Sequence, residues 1–156
     1  MKFSIMSRAD ARRASFKLTE RTAIVSINDL VDGPNKFCHH PNLVDVCHVF
    51  FDDIVEDFEG GVPISDEDAM KIKEFVDSVW DDIDHLIVHC WAGISRSSGC
   101  MSAILQAKGI DDSWIWESKK FSPNTFVAKK ILEAYGIDHN NYDELWQKLL
   151  GENRDE

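Results

Sequence analysis

Cys90 and Arg96 are the residues of this chain best suited to covalent chemistry. They stand in the run Leu86-Ile87-Val88-His89-Cys90-Trp91-Ala92-Gly93-Ile94-Ser95-Arg96-Ser97-Ser98. The run reads as an apolar strand ending on a cysteine, a short loop and then a helix. Successive backbone N–H groups at a helix N-terminus form a concave site for an anion. Gly93 omits a Cβ where the chain must curl most tightly. Arg96 brings a planar guanidinium that can take two oxygens of one phosphate. A helix N-terminus and a nearby cation favour thiolate over thiol. A thiolate facing a bound phosphoryl group is an attacking nucleophile.

His89-Cys90-x5-Arg96-Ser97 resembles the HC-x5-R-[ST] motif of the cysteine-based protein tyrosine phosphatases. The stretch from His89 to Ser97 is most similar to the small dual-specificity type, including bacterial and phage forms, whose loops read HCxxGxSRS. A bare C-x5-R is a weak signal; the preceding apolar strand and His, the internal Gly, the following Ser and the helix make it specific. The resemblance implies an α/β fold with a central, mostly parallel sheet of four to five strands flanked by helices. It implies hydrolysis of phosphomonoesters, phosphotyrosine foremost and phosphoserine or phosphothreonine besides, with no cofactor and no metal. Cys90 would form a phosphocysteine. The N–H groups of Trp91, Ala92, Gly93, Ile94, Ser95 and Arg96, with the Arg96 side chain, would hold the phosphate. Ser97 would hydrogen-bond the cysteine sulfur and help it leave, and His89 would order the loop from behind.

That chemistry needs a proton donor for the leaving group, which the family supplies as an Asp on an upstream loop. Phe50-Phe51-Asp52-Asp53-Ile54-Val55-Glu56-Asp57 follows a strand-like run. Asp53 is the choice, because it follows the strand directly and precedes Ile54. It lies 37 positions before Cys90, a longer spacing than is usual in small dual-specificity enzymes, which Asp57 fits better. Asp52 is the third contender.

Several elements must position these groups. Residues 22–27 (Thr-Ala-Ile-Val-Ser-Ile), 46–51 and 85–89 are short apolar or β-branched runs and read as buried strands; residues 3–6 read as another. Ser7 is placed to cap a short basic helix ending near Ser15. Ser65, followed by Asp66, Glu67 and Asp68, opens a helix whose apolar face is Ala69, Ile72, Val76, Val79 and Trp80. Residues 97–107 continue the loop as a helix ended by Gly109. Three more helices are expected at 111–118, 123–135 (with Pro123 in its first turn) and 142–150. Alternation of strand and helix gives an α/β domain over residues 1–150, with 151–156 as a polar tail.

The chain has 156 residues, 17 Lys and Arg against 28 Asp and Glu, and a formal charge of −11. A domain near this size buries about 68–70% of its unfolded surface. The acidic balance argues against nucleic acid and anionic membranes as partners. The loop carries no cation besides Arg96, which argues against phosphoinositides and RNA 5′-triphosphates. A phosphorylated protein or peptide, neutral or basic around the phosphate, is the expected substrate. A phosphate-binding module without turnover is the rival reading, disfavoured because Cys90 and Arg96 are both present.

Four cysteines without CxxC spacing, no apolar N-terminal stretch and no apolar run of membrane length point to a cytoplasmic protein. Cys47 and Cys100 read as core residues before they read as redox partners of Cys90. His39, His40 and His48 lack the companions of a metal site. Trp91 is placed to line a pocket mouth, Asn28-Asp29 to line the site edge, and Ser122-Pro123-Asn124 resembles a segment that supports the loop helix in the family.

Overall fold

The structure is a computed structural model, and it describes residues 1–55 and 60–139. Four strands form one sheet: β1 (Lys2–Ser7), β2 (Thr22–Asn28), β3 (Leu43–Phe50) and β4 (His85–Cys90). Their order is β1-β4-β2-β3, and each neighbouring pair is parallel. Among the described residues the sheet is therefore wholly parallel, with four strands, at the low end of the expected range.

Parallel sheets are covered on both faces. Every residue of β2 and β4 is buried, which is why those strands read as continuous apolar runs. Alternate side chains go to opposite faces. Ala23, Val25, Ile27, Leu86, Val88 and Cys90 join the larger core. Ile24 and Ile87 join a smaller one with Ala11 and Leu18. Helix α1 (Arg8–Ala14) supplies Ala11 to the smaller core. The helices α2 (Asp66–Val79), α3 (Arg96–Ala107) and α5 (Thr125–Ala134) supply the larger one, with a short α4 (Ser113–Glu117) between α3 and α5. The parity of β4 thus turns Cys90 toward the face where α3 begins.

Local chemistry sets the helix starts. The Ser7 hydroxyl accepts the Asp10 N–H to open α1. Ser65 and Asp68 form a reciprocal capping box at α2. Pro123, expected in a first helical turn, lies outside α5 instead. Asn124 is the cap, its side chain accepting the Val127 N–H at 3.0 Å, so the helix starts at Thr125. A helix expected over 142–150 lies outside the described residues. No helix among the described residues is long and apolar enough to cross a membrane.

Register pairs Ser7 with Cys90 and Asn28 with Phe50. The carboxyl ends of all four strands therefore meet at one edge. Crevices outside strand carboxyl ends are where open parallel sheets bind ligands.

Candidate active site

At that edge the chain leaves β4 at Cys90, turns through residues 91–95 and enters α3 at Arg96. Gly93 sits at φ +72°, a left-handed conformation that only glycine adopts without strain. A Cβ there would also lie 2.6 Å from the carbonyl carbon of Met6 and the nitrogen of Ser7. Gly93 therefore serves both the curl of the loop and its close packing on the end of β1. The Arg8 N–H donates to the Trp91 carbonyl at 3.0 Å, tying the loop to α1.

Among the described residues, the N–H groups of Ala92, Gly93, Ile94 and Ser95 have no hydrogen-bond acceptor. Behind them lies the buried Cys90, whose Sγ is 3.0 Å from the Ser97 Oγ. Arg96 is only 5% exposed. Its Nη1 donates to Asp29 Oδ1 at 2.7 Å and to the Phe51 carbonyl at 2.9 Å. Its buried Nε has no partner among the described residues. Two strand ends, β2 through Asp29 and β3 through Phe51, thus fix one side of the guanidinium. An unpaired buried N–H is costly, so the free edge is suited to an anion.

His89 lies fully buried behind the loop. Its Nε2 is 2.6 Å from Ser26 Oγ and its Nδ1 is 3.1 Å from the Cys90 carbonyl. Burial, above all, pushes its pKa down to about 4. A neutral ring donating from Nδ1 and accepting at Nε2 satisfies both contacts. Asn28 lies next in line, its Nδ2 donating to the Ser26 carbonyl at 3.0 Å and its Oδ1 accepting from Arg8 Nη1 at 2.8 Å and from the Asn35 N–H at 3.0 Å. A buried polar network that runs from the neutral His89 ring to the Arg8 guanidinium therefore backs the loop.

The acids expected upstream divide. Asp53 Oδ1 accepts from Ser95 Oγ at 3.0 Å and from Asn124 Nδ2 at 2.8 Å. It is brought onto the loop, which also explains why Ser95 does not cap α3 with its own side chain. Asp52 turns the other way: its Oδ2 accepts the Val62 N–H at 2.8 Å and its own N–H donates to the Val62 carbonyl at 2.7 Å. Asp57 lies outside the described residues.

Trp91 is 56% exposed beside the loop, as a residue at a pocket mouth would be. Cys47 and Cys100 lie in the larger core, where burial pushes the Cys47 thiol up to about 11 and the Cys100 thiol up as well. Among the described residues no group of three His, Cys, Asp or Glu side chains could hold a metal ion.

Sequence reasoning placed Asp29 only at the site edge and gave Asn124 a supporting part. It did not foresee that Asp29 would pair with Arg96 or that Asn124 would hold Asp53. It missed Arg8, Asn35 and Ser26 altogether. Only Asn28-Asp29, polar residues directly after a buried strand, carried a local signal.

No protein-family model and no curated protein sequence matches the chain. Solved structures do. The human tyrosine phosphatase-like serine/threonine/tyrosine-interacting protein superposes with a TM-score of 0.53 at 21% identity, over 74% of this chain and 76% of that one. DUSP15 superposes with a TM-score of 0.52 at 20% identity, over 96% of this chain and 90% of that one. The chain has the fold of the cysteine-based tyrosine and dual-specificity phosphatases. In this phosphatase fold the sheet edge that carries Cys90, Arg96 and Asp53 is the one described above, and the expectation of an α/β sheet flanked by helices holds.

Proposed function

We propose that the chain is a phosphatase that hydrolyses phosphomonoesters, phosphotyrosine in proteins foremost, through a phosphocysteine intermediate. The observation that carries this reading is Arg96. It is buried, held on one side by Asp29 and Phe51, and among the described residues its Nε has no partner, nor do four N–H groups of the loop that joins it to Cys90. That arrangement suits three phosphoryl oxygens in front of a nucleophile.

In the first step the Cys90 sulfur attacks phosphorus. The S–P bond forms as the bond to the leaving oxygen breaks, and Asp53 gives that oxygen its proton. Asp53 Oδ1 already accepts two hydrogen bonds, which leaves Oδ2 to carry the proton. In the second step water attacks phosphorus, Asp53 takes a proton from it, and the S–P bond breaks. Ser97 Oγ, at 3.0 Å, donates to the departing sulfur. Loop N–H groups and Arg96 hold the developing charge in both steps.

A binding module without turnover is the alternative. One of the superposing proteins is described as phosphatase-like and interacting, but the presence of both Cys90 and Arg96 favours an enzyme. Hydrolysis of p-nitrophenyl phosphate tests the reading. The intact chain should turn it over and Cys90→Ser should not, with an unchanged circular-dichroism spectrum. Hydrolysis that persists in Cys90→Ser refutes the mechanism. Asp53→Ala and Asp57→Ala, compared on the same substrate, name the acid: roughly a 10²–10⁴-fold loss is expected for the true donor.

A further inference from the structure

A cavity of about 470 Å³ opens beside the active-site loop, lined by Arg8, Ala9, Arg12, Arg13, Asn35 and Trp91. Trp91 belongs to both the cavity and the loop, so whatever fills the cavity lies next to a phosphate held there. No acid is among the lining residues.

Its charge can be followed residue by residue. Arg8 donates only to neutral oxygens, of Asn28 and Gly33, so its charge is uncompensated. Arg13 pairs with Asp10, and that bond, with Lys120 adding from the neighbouring segment, holds the Asp10 carboxyl below its usual range. Arg12 has no partner among the described residues. The α1 cluster is therefore a net cation of about two charges on a chain of formal charge −11.

That excess is small and local. It matches one or two carboxylates, whereas a polyphosphate or nucleic-acid strand would extend past it into the field of an acidic protein. The size of the cavity lies within the range of pockets that take small groups.

We propose that this cavity is a specificity subsite for an acidic side chain flanking the phosphorylated residue of a peptide substrate, bound by Arg12 and Arg13 beside Trp91. The inference rests on the phosphatase reading above and supplies its substrate class. It also reverses the preference drawn from net charge alone.

The test uses the full chain and matched phosphotyrosine peptides, one with Asp and Glu around the phosphotyrosine and one with Asn and Gln in their places. Arg12→Gln/Arg13→Gln is the variant; Arg8 is left intact because it holds Asn28 behind the loop. Two exposed ion pairs, at the strength usual for such pairs, should favour the acidic peptide in kcat/KM by roughly 2–30-fold. The variant should lose that preference through KM while p-nitrophenyl phosphate turnover stays the same. Raising the salt should shrink the preference in the intact chain.

Equal kcat/KM for both peptides, or a preference that survives in the variant, overturns the subsite and leaves the phosphatase reading standing. Absence of turnover on every substrate refutes the phosphatase reading. In that event, anisotropy of the labelled peptides on the Cys90→Ser chain still decides the subsite: tighter binding of the acidic peptide, lost with Arg12 and Arg13, supports it, and equal binding overturns it. Tighter binding of a 5′-phosphorylated RNA or of phosphoinositide vesicles than of the acidic peptide also overturns it.

Discussion

Replacing Gly99 by alanine adds one methyl group in the first turn of α3, and the structure gives that methyl nowhere to go. A Cβ on Gly99 would lie 2.3 Å from the Asn124 carbonyl oxygen and 3.0 Å from the Asn124 nitrogen. Ordinary carbon contacts begin near 3.5 Å, so the Asn124 backbone must retreat by about 1 Å. Alanine gains roughly 0.5–1 kcal/mol over glycine in a helix, but overpacking costs about 1–3 kcal/mol. Retreat also strains the bond from the Asn124 N–H to the Ser95 carbonyl and the cap on α5, and a lost cap costs about 1 kcal/mol. The net expectation is a destabilisation of about 1–3 kcal/mol. For a domain of this size that lowers Tm by roughly 3–10 °C.

The same displacement reaches the proposed chemistry. Asn124 Nδ2 donates to Asp53 at 2.8 Å and to the Ile54 carbonyl at 3.1 Å. Moving Asn124 therefore moves the proposed proton donor, and a misplacement of about 1 Å can cost around 10²-fold in rate. Two aryl phosphates separate this from general damage. A poor leaving group needs its proton, so its turnover should fall steeply in Gly99→Ala. A highly acidic fluorinated phenol needs little help, so its ester should be nearly spared. Calorimetry gives the Tm on the same samples. An unchanged Tm refutes the packing argument. A lowered Tm with equal losses on both esters refutes the link from Gly99 through Asn124 to Asp53.

Two further outcomes follow from the site. Ser97→Ala removes the hydroxyl 3.0 Å from the Cys90 sulfur. Losing a hydrogen bond to a charged leaving group is worth about 1.5–3 kcal/mol, so phosphocysteine hydrolysis should slow by roughly 10–150-fold and a stopped-flow burst should appear; slow turnover without a burst counts against the assigned role. His89, held neutral by burial with a pKa near 4 against 6.5 when exposed, takes up a proton in the unfolded chain but not in the folded one between those values. Stability should therefore be full above pH 6.5 and fall by roughly 3 kcal/mol as pH drops to 4. Urea unfolding at pH 7 and pH 5 should show a smaller drop in His89→Gln, the residue left coming from His48 and His85, which burial depresses likewise; identical drops would argue against it.

Which features were legible in the sequence follows from how far apart the partners lie. The strand into Cys90, the curl at Gly93 and the caps at Ser7 and Ser65 each depend on residues within a few positions, and all are found where the sequence puts them. The cap of α5 was also local, yet it was misread, because Pro123 is as acceptable before a cap as after one and Asn124 takes the role with its own side chain. Asp29 meets Arg96 across 67 positions and Asp53 meets Asn124 across 71. The first pair exists because parallel register brings the ends of β2, β3 and β4 to one edge, and the second because the start of α5 packs on the start of α3, where the Asn124 N–H donates to the Ser95 carbonyl; no window of sequence contains either. The sequence favours Asp53 over Asp52 only by its place before Ile54; that Asp53 meets Ser95 on the loop while Asp52 turns to Val62 depends on partners 42 and 10 positions away.

Net charge is the case where a whole-chain quantity and a local one part company. Screening limits an exposed charge to about 8–10 Å, so a substrate at the loop responds to the residues around Trp91 and not to the sum of −11. The sheet sets one acidic cluster and one basic cluster on opposite faces. Asp66, Glu67 and Asp68 open α2, on the face that holds the larger core, and Asp81 and Asp82 follow its end. Arg8, Arg12 and Arg13 belong to α1, on the opposite face. An acidic protein with a basic patch beside a candidate anion site disfavours polyanions long enough to extend past the patch, and attracts a single acidic segment that ends within it. If the proposed subsite is real, acidity of the chain limits the size of the anionic partner, and α1 sets the sign of what flanks the phosphate.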